Sequence, residues 1–316
     1  MNHKASILLL FLGSVNLTMC AAQPAAQQSM AVQTISSFPI PSNVTFAERP
    51  ISLERYDMRE RYDREQMSIA YSQSSSLLIL KRANRYFPII EPLLKKNGIP
   101  DDFKYLAVVE SNLDTRAKSP VGAVGLWQLM PKTAQELGLE VNDEVDERYH
   151  IEKATVAACK YLKIGYIKYK DWATVAASYN GGMGRISTEK SQQQVGDFFD
   201  MLLTAETSRY VFKILAMKQF MEKPQYYGYV MQHDDFYPTI SSSTETVSGS
   251  VEDWATWALQ HDITYFQLKD FNIWLRDRKL SNPSKKEYQI EIPKKSDLIF
   301  NSSNFKVHNP AWLGQK

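Results

Sequence analysis

The chain has 316 residues, of which 44% are hydrophobic and 23% charged, a composition that supports a packed core in one large domain or two modest ones. Its 37 Lys and Arg against 35 Asp and Glu leave a net charge of +2, too weak to argue for a nucleic-acid partner. The two cysteines and five histidines are not closely clustered, so no zinc pattern arises, and no metal or cofactor is expected.

In chain order, Lys4 precedes an apolar run over residues 7–12. This is the layout of a secretory signal peptide, residues 1–22, and it is too short to span a membrane with ease. Two processing readings stand. Cys20-Ala21-Ala22 offers the small residues a signal peptidase needs, whereas Leu17-Thr18-Met19-Cys20 resembles a lipoprotein box with Cys20 as the acylated anchor. In either case the protein is exported. Cys159 is then the one free thiol, so no intramolecular disulfide forms.

Residues 23–47, rich in Gln, Ala, Ser and Pro, read as a flexible tether. From residue 48 to 99 the pattern is helical: Leu77, Leu78, Leu80, Ala83, Phe87, Ile90, Leu93 and Leu94 recur near helical spacing, and Gly98 and Pro100 stop the segment. Asp101 is the expected N-cap of a helix running to Ser111, apolar at nearly every position and therefore central. Further helices are expected at 131–138, 152–169, 172–180 and 205–222, with few strands before residue 240. Ser241-Ser242-Ser243-Thr244 reads as a linker. A strand at 245–247, helices at 251–260 and 265–271 and an alternating strand at 288–292 follow. The fold class is mainly α: a helical domain over 48–238, a small α+β unit over 244–293 and a C-terminal tail over 294–316.

Glu110 shares a helix face with Phe103, Leu106 and Ala107. A carboxylate there is costly to bury ionised, and its pKa is expected to rise, as a general acid requires. Helix pattern alone favours the plainer reading, that Glu110 ends the helix and faces water. Gly122, Gly125 and Pro131 punctuate the segment carrying Trp127 and Gln128, an apolar plate and an amide that a sugar could use, or a buried Trp and a capping Gln. Asp171 is an expected N-cap, and Asn180-Gly181-Gly182 ends the following helix, fixing Tyr179 and Asn180 at its terminus.

Taken together, Glu110-Ser111, Gly122-Ala123 with Gly125-Leu126-Trp127-Gln128, Ala176-Ala177-Ser178-Tyr179-Asn180-Gly181-Gly182, and Glu206-Thr207 with Tyr210-Val211 resemble the catalytic module of the soluble lytic transglycosylases. Upstream, Arg85-Tyr86-Phe87-Pro88, Gly98-Ile99-Pro100 and Tyr105-Leu106-Ala107 look like the membrane-bound lytic murein transglycosylase D branch. The resemblance implies a goose-lysozyme-like helical domain in the bacterial cell envelope, periplasmic or associated with the outer membrane. Its partner would be the glycan strands of peptidoglycan, cut at the β-1,4 bond between N-acetylmuramic acid and N-acetylglucosamine. Glu110 would be the catalytic acid/base. Ser111, Gln128, Tyr179, Asn180, Glu206 and Tyr210 would hold the glycan or orient Glu110.

Ordinary glycosidases need two carboxylates about 5 to 9.5 Å apart, and these motifs contain no convincing second one. A single carboxyl suffices if the muramic acid 6-hydroxyl attacks its own anomeric carbon and leaves a 1,6-anhydro end. A non-catalytic peptidoglycan-binding scaffold and a lysozyme-type hydrolase on the same fold are the alternatives. The C-terminal unit is similar to a LysM module at Val247, Gly249, Ile263, Leu268 and Asn272, although the usual Gly-Asp-Thr-Leu start is absent. It reads either as a glycan binder or as an accessory fold packed on the helical domain.

Overall fold

The computed structural model describes residues 36–314. The signal peptide, Cys20 and the first part of the expected tether lie outside them. The end of that tether is folded. Strands β1 (Asn43–Phe46) and β2 (Arg49–Ser52) form an antiparallel hairpin with Phe46 opposite Arg49. Val44 and Phe46 alternate inward into the main core, while Asn43 and Thr45 face out. The two loop residues, Ala47 and Glu48, both have positive φ, the geometry of a tight hairpin turn. Asp102 steadies that turn by accepting the Ala47 N–H at 2.8 Å and the Lys218 ammonium at 2.8 Å. Neither Asp101 nor Asp102 caps the next helix. Asp101 pairs instead with Lys104.

The continuous helical stretch expected over 48–99 is therefore β2, then α1 (Tyr56–Tyr71), then α2 (Gln73–Lys96). Helix α2 keeps its course through Pro88 and Pro92, buries Leu80, Ala83, Phe87, Ile90 and Leu94, and turns Leu78 outward. Helix α3 (Phe103–Ser111) is buried along almost its whole length, as expected. After α4 (Pro131–Glu136) come α5 (Ile151–Tyr169), α6 (Trp172–Gly181) and α7 (Met183–Gln192). The long α8 (Ala205–Glu222) contacts α1, α3 and α6 and forms the spine of the domain. Asp171 caps α6 by accepting the Thr174 N–H at 2.8 Å, and Gly182 ends it at φ 81°. No helix among the described residues is long and apolar enough to cross a membrane.

The α+β unit comprises β3 (Ser242–Val247), α9 (Trp254–Gln260), α10 (Tyr265–Phe271) and β4 (Tyr288–Pro293). Strands β3 and β4 pair antiparallel, with Ser242 opposite Pro293 and Val247 opposite Tyr288. Ser242, Ser243 and Thr244, read as part of a linker, thus belong to a strand. Their side chains are exposed and carry no hydrophobic signal, and β4 supplies the backbone ladder that orders them. Trp254, Trp257, Leu268, Trp274, Tyr288 and Ile290 make a second core.

The segment expected as a C-terminal tail returns to the helical domain. Trp312 is 2% exposed in the main core, where its indole N–H donates to the Met221 carbonyl at 2.7 Å. The α+β unit is therefore inserted between Pro238 and this returning segment. Asn84 on α2 clamps both crossings: its amide donates to the Tyr237 carbonyl at 3.0 Å and its carbonyl accepts the His308 N–H at 2.7 Å.

Candidate active site

Helix α3 ends in the left-handed pair Asn112 and Leu113, φ 52° and 55°. The reversal leaves Glu110 in the last turn, half-buried, with the apolar face of its own helix beneath it. Burial raises its carboxyl from 4.5 to about 7. The hydroxyl of Tyr210 on α8 and the Lys213 charge oppose that rise, whereas the Glu206 charge adds to it. Tyr210 donates to Glu110 Oε1 in a short hydrogen bond. Burial, and then the Glu110 charge, push the Tyr179 and Tyr210 phenols far above their usual pKa, so both stay protonated donors.

Residues 117–129 form a compact loop beside α3. Its internal bonds run from Gly125 N–H to the Ala117 carbonyl, 2.9 Å, and from Ser119 N–H to the Ala123 carbonyl, 2.8 Å. Gly125 has φ +73°, and a Cβ there would lie 2.3 Å from the Arg148 carbonyl oxygen, so both conformation and space demand glycine. Gln128 also has positive φ, and its amide N–H groups donate to the carbonyls of Gly125 (2.9 Å) and Ala117 (3.3 Å), leaving its Oε1 to accept from a ligand. Two side chains tie this loop to its neighbours. The Ser111 hydroxyl lies between the Ala107 and Leu126 carbonyls at 3.0 Å each, and the Tyr179 hydroxyl donates to the Trp127 carbonyl at 2.7 Å.

The structure thus brings Glu110, Ser111, Gln128, Tyr179 and Tyr210 together around one helix end. Ser111 is buried, with its proton committed to backbone. Asn180 and Glu206 form an outer pair: Asn180 Nδ2 donates to Glu206 Oε1 at 2.9 Å, and Thr207 Oγ1 donates to Asn180 Oδ1 at 2.9 Å. Trp127 is no sugar plate. It is 0% exposed, and its indole donates to Thr155 at 2.9 Å. Sequence reasoning quoted Thr207 within the Glu206-Thr207 motif but gave it no role at the site. It missed Tyr161, which packs edge-on to Tyr179 at 5.2 Å and donates to the Ser178 carbonyl. Among the described residues no cluster of His, Cys, Asp or Glu could hold a metal ion.

Fold and site define a mainly helical domain that presents one strongly perturbed carboxyl at a helix end, with a small α+β unit inserted near its C-terminus. Residues 87–201 match the Transglycosylase SLT domain, and residues 243–296 match the Soluble lytic transglycosylase C-terminal LysM-like domain. The chain thus carries a transglycosylase SLT domain followed by a LysM-like domain, which bears out both sequence resemblances. It is 32% identical over 165 residues to Membrane-bound lytic murein transglycosylase D of Escherichia coli K12, covering 50% of this chain and 36% of that protein. It is 26% identical over 133 residues to a Putative tributyltin chloride resistance protein of Alteromonas, covering 41% of this chain and 64% of that one. Among solved structures, the 70 kDa soluble lytic transglycosylase SLT70 of Escherichia coli aligns with TM-score 0.42 at 23% identity, over 52% of this chain and 29% of that chain.

Proposed function

We propose that this protein is an exported peptidoglycan lytic transglycosylase in which Glu110 acts first as acid and then as base. The observation that carries this reading is the Glu110 carboxyl, held near neutrality by burial at the end of α3. Near pH 7 such a group is present in both protonation states, as a residue that gives and then retrieves a proton requires. Tyr210 occupies Oε1, so the transferable proton belongs on Oε2. Glu110 gives that proton to the glycosidic oxygen as the bond to the muramic acid C1 breaks. The carboxylate then takes the proton of the 6-hydroxyl of the same sugar as that oxygen bonds to C1. The products are a free N-acetylglucosamine 4-hydroxyl and a 1,6-anhydromuramic end, formed without water. The intramolecular attack gains effective concentration.

In this reading Gln128 Oε1 accepts from the glycan, and Asn180, fixed by Glu206 and Thr207, lines the outer groove. Ser111, Tyr179 and Tyr210 orient the acid and its loop. Glu206 is exposed and bonded to Asn180, which suits a groove wall better than a nucleophile. The substrate lies in the bacterial envelope, in keeping with the apolar leader at residues 7–12.

Digestion of purified peptidoglycan with mass analysis of the soluble products tests the assignment. Anhydro ends that disappear in Glu110→Gln and persist in Glu206→Gln are expected. Products heavier by a water would establish a hydrolase, and no release between about pH 5 and 8 would leave a glycan-binding scaffold.

A further inference from the structure

The LysM-like unit touches the helical domain chiefly through residues 140–150. Val145 bridges Leu275, the Asp146 N–H donates to the Trp274 carbonyl at 2.9 Å, and the Arg276 N–H donates to the Glu144 carbonyl at 2.8 Å. Side chains reinforce the seam. The Glu144 carboxylate accepts the Ser281 N–H and hydroxyl at 2.8 and 2.6 Å, and the Glu140 carboxylate accepts Lys286 at 2.5 Å and the Tyr288 hydroxyl at 2.9 Å. Val145 and Tyr149 are buried in the core of the inserted unit, and so is Val124, which belongs to the loop carrying Gln128.

The same segment reaches that loop by a second route. Arg148 is 7% exposed. Its guanidinium grips Asp146 through Nε (2.9 Å) and Nη2 (2.7 Å) and donates from Nη1 to the carbonyls of Gly122 (2.8 Å) and Leu129 (3.1 Å). Those carbonyls bracket Gly125, Trp127 and Gln128. A guanidinium can serve one carboxylate and two carbonyls at once because its N–H groups form a rigid planar fork, which an ammonium cannot reproduce.

We infer that the LysM-like unit is a structural part of the active site: through residues 140–150 it fixes the Gln128 loop, and Arg148 is the positioning residue of that relay. The relay holds the Trp127 carbonyl where Tyr179 meets it and the Leu126 carbonyl where Ser111 meets it, next to Glu110. It does not need the unit to bind glycan, and it rests on the function proposed above only for its kinetic readout.

Amide hydrogen exchange and steady-state cleavage of a soluble glycan chain, both on the full chain, test it. Arg148→Lys is expected to speed exchange at the Gly125 and Gln128 amides by about tenfold or more. It should lower kcat by at least about tenfold while KM stays within about threefold. The seam variant Lys286→Met with Tyr288→Phe should shift both readouts in the same direction and by less. Lys295→Ala, which breaks an exposed ion pair of the same unit with Asp262, should change neither. Parental loop exchange and kcat in the Arg148 and seam variants would overturn the relay, and so would equal effects from Lys295→Ala. If Arg148→Lys fails to fold, the seam variant alone decides. If the parent releases no glycan, the proposed function falls while the exchange rates still judge the relay.

Discussion

Replacing Glu110 by Gln separates the energetic cost of the acid from its chemistry. The carboxyl is displaced from 4.5 to about 7, which at about 1.4 kcal/mol per unit amounts to about 3 kcal/mol. The sign follows from proton counting. Between those two values the folded chain holds a proton that the unfolded chain has released. Stability contributed by this group is therefore complete below about pH 4.5, falls as pH rises towards 7, and stays lost above it. Glutamine is neutral throughout and can still accept the Tyr210 hydroxyl. Glu110→Gln should thus match the parent near pH 4.5 and exceed it by about 3 kcal/mol at pH 8, read by urea denaturation at both pH values, while abolishing glycan cleavage at each. An advantage that is the same at both pH values would show that burial does not hold this carboxyl near neutrality, and the acid–base argument would lose its physical basis.

Three further outcomes are expected. Tyr210→Phe removes a bond that favours the carboxylate, so the Glu110 pKa should rise by about one unit; the alkaline limb of the pH–rate profile should move up, and a downward move would refute the assignment. Gly125→Ala drives a methyl group against the Arg148 carbonyl at positive φ and should cost about 2 kcal/mol or more, with loss of activity; a neutral result in thermal denaturation would contradict the packing described. Trp312→Ala should cost about 3–5 kcal/mol, as measured by chemical denaturation, whereas an unpacked tail residue would cost almost nothing.

The helical core and most of the site were legible because their signals are local. Periodic apolar residues marked α2 and α3, Asp171 and Gly182 bounded α6, and the motif residues lie close in sequence to the elements that carry them. The failures share one cause, which is structure conferred by distant partners. Ser242, Ser243 and Thr244 become a strand only because β4 runs beside them. Residues 43–52 become a hairpin whose turn leans on Asp102, 55 residues beyond Ala47. Of the two readings Trp127 allowed, sugar plate or buried side chain, Thr155 and the core select the second. Arg148 was silent for the same reason, since two of its partners are backbone carbonyls of another loop.

Asn84 holds both the outgoing chain at Tyr237 and the returning chain at His308, and Trp312 fills the hydrophobic interior beyond that crossing. The helical domain is therefore discontinuous along the polypeptide. A nascent chain cannot complete it until the inserted unit has been synthesised and the last dozen described residues have emerged. A shortened protein ending near residue 238 would lack a piece of its own interior, and it would expose the Phe87, Phe236 and Met221 surfaces that Trp312 covers.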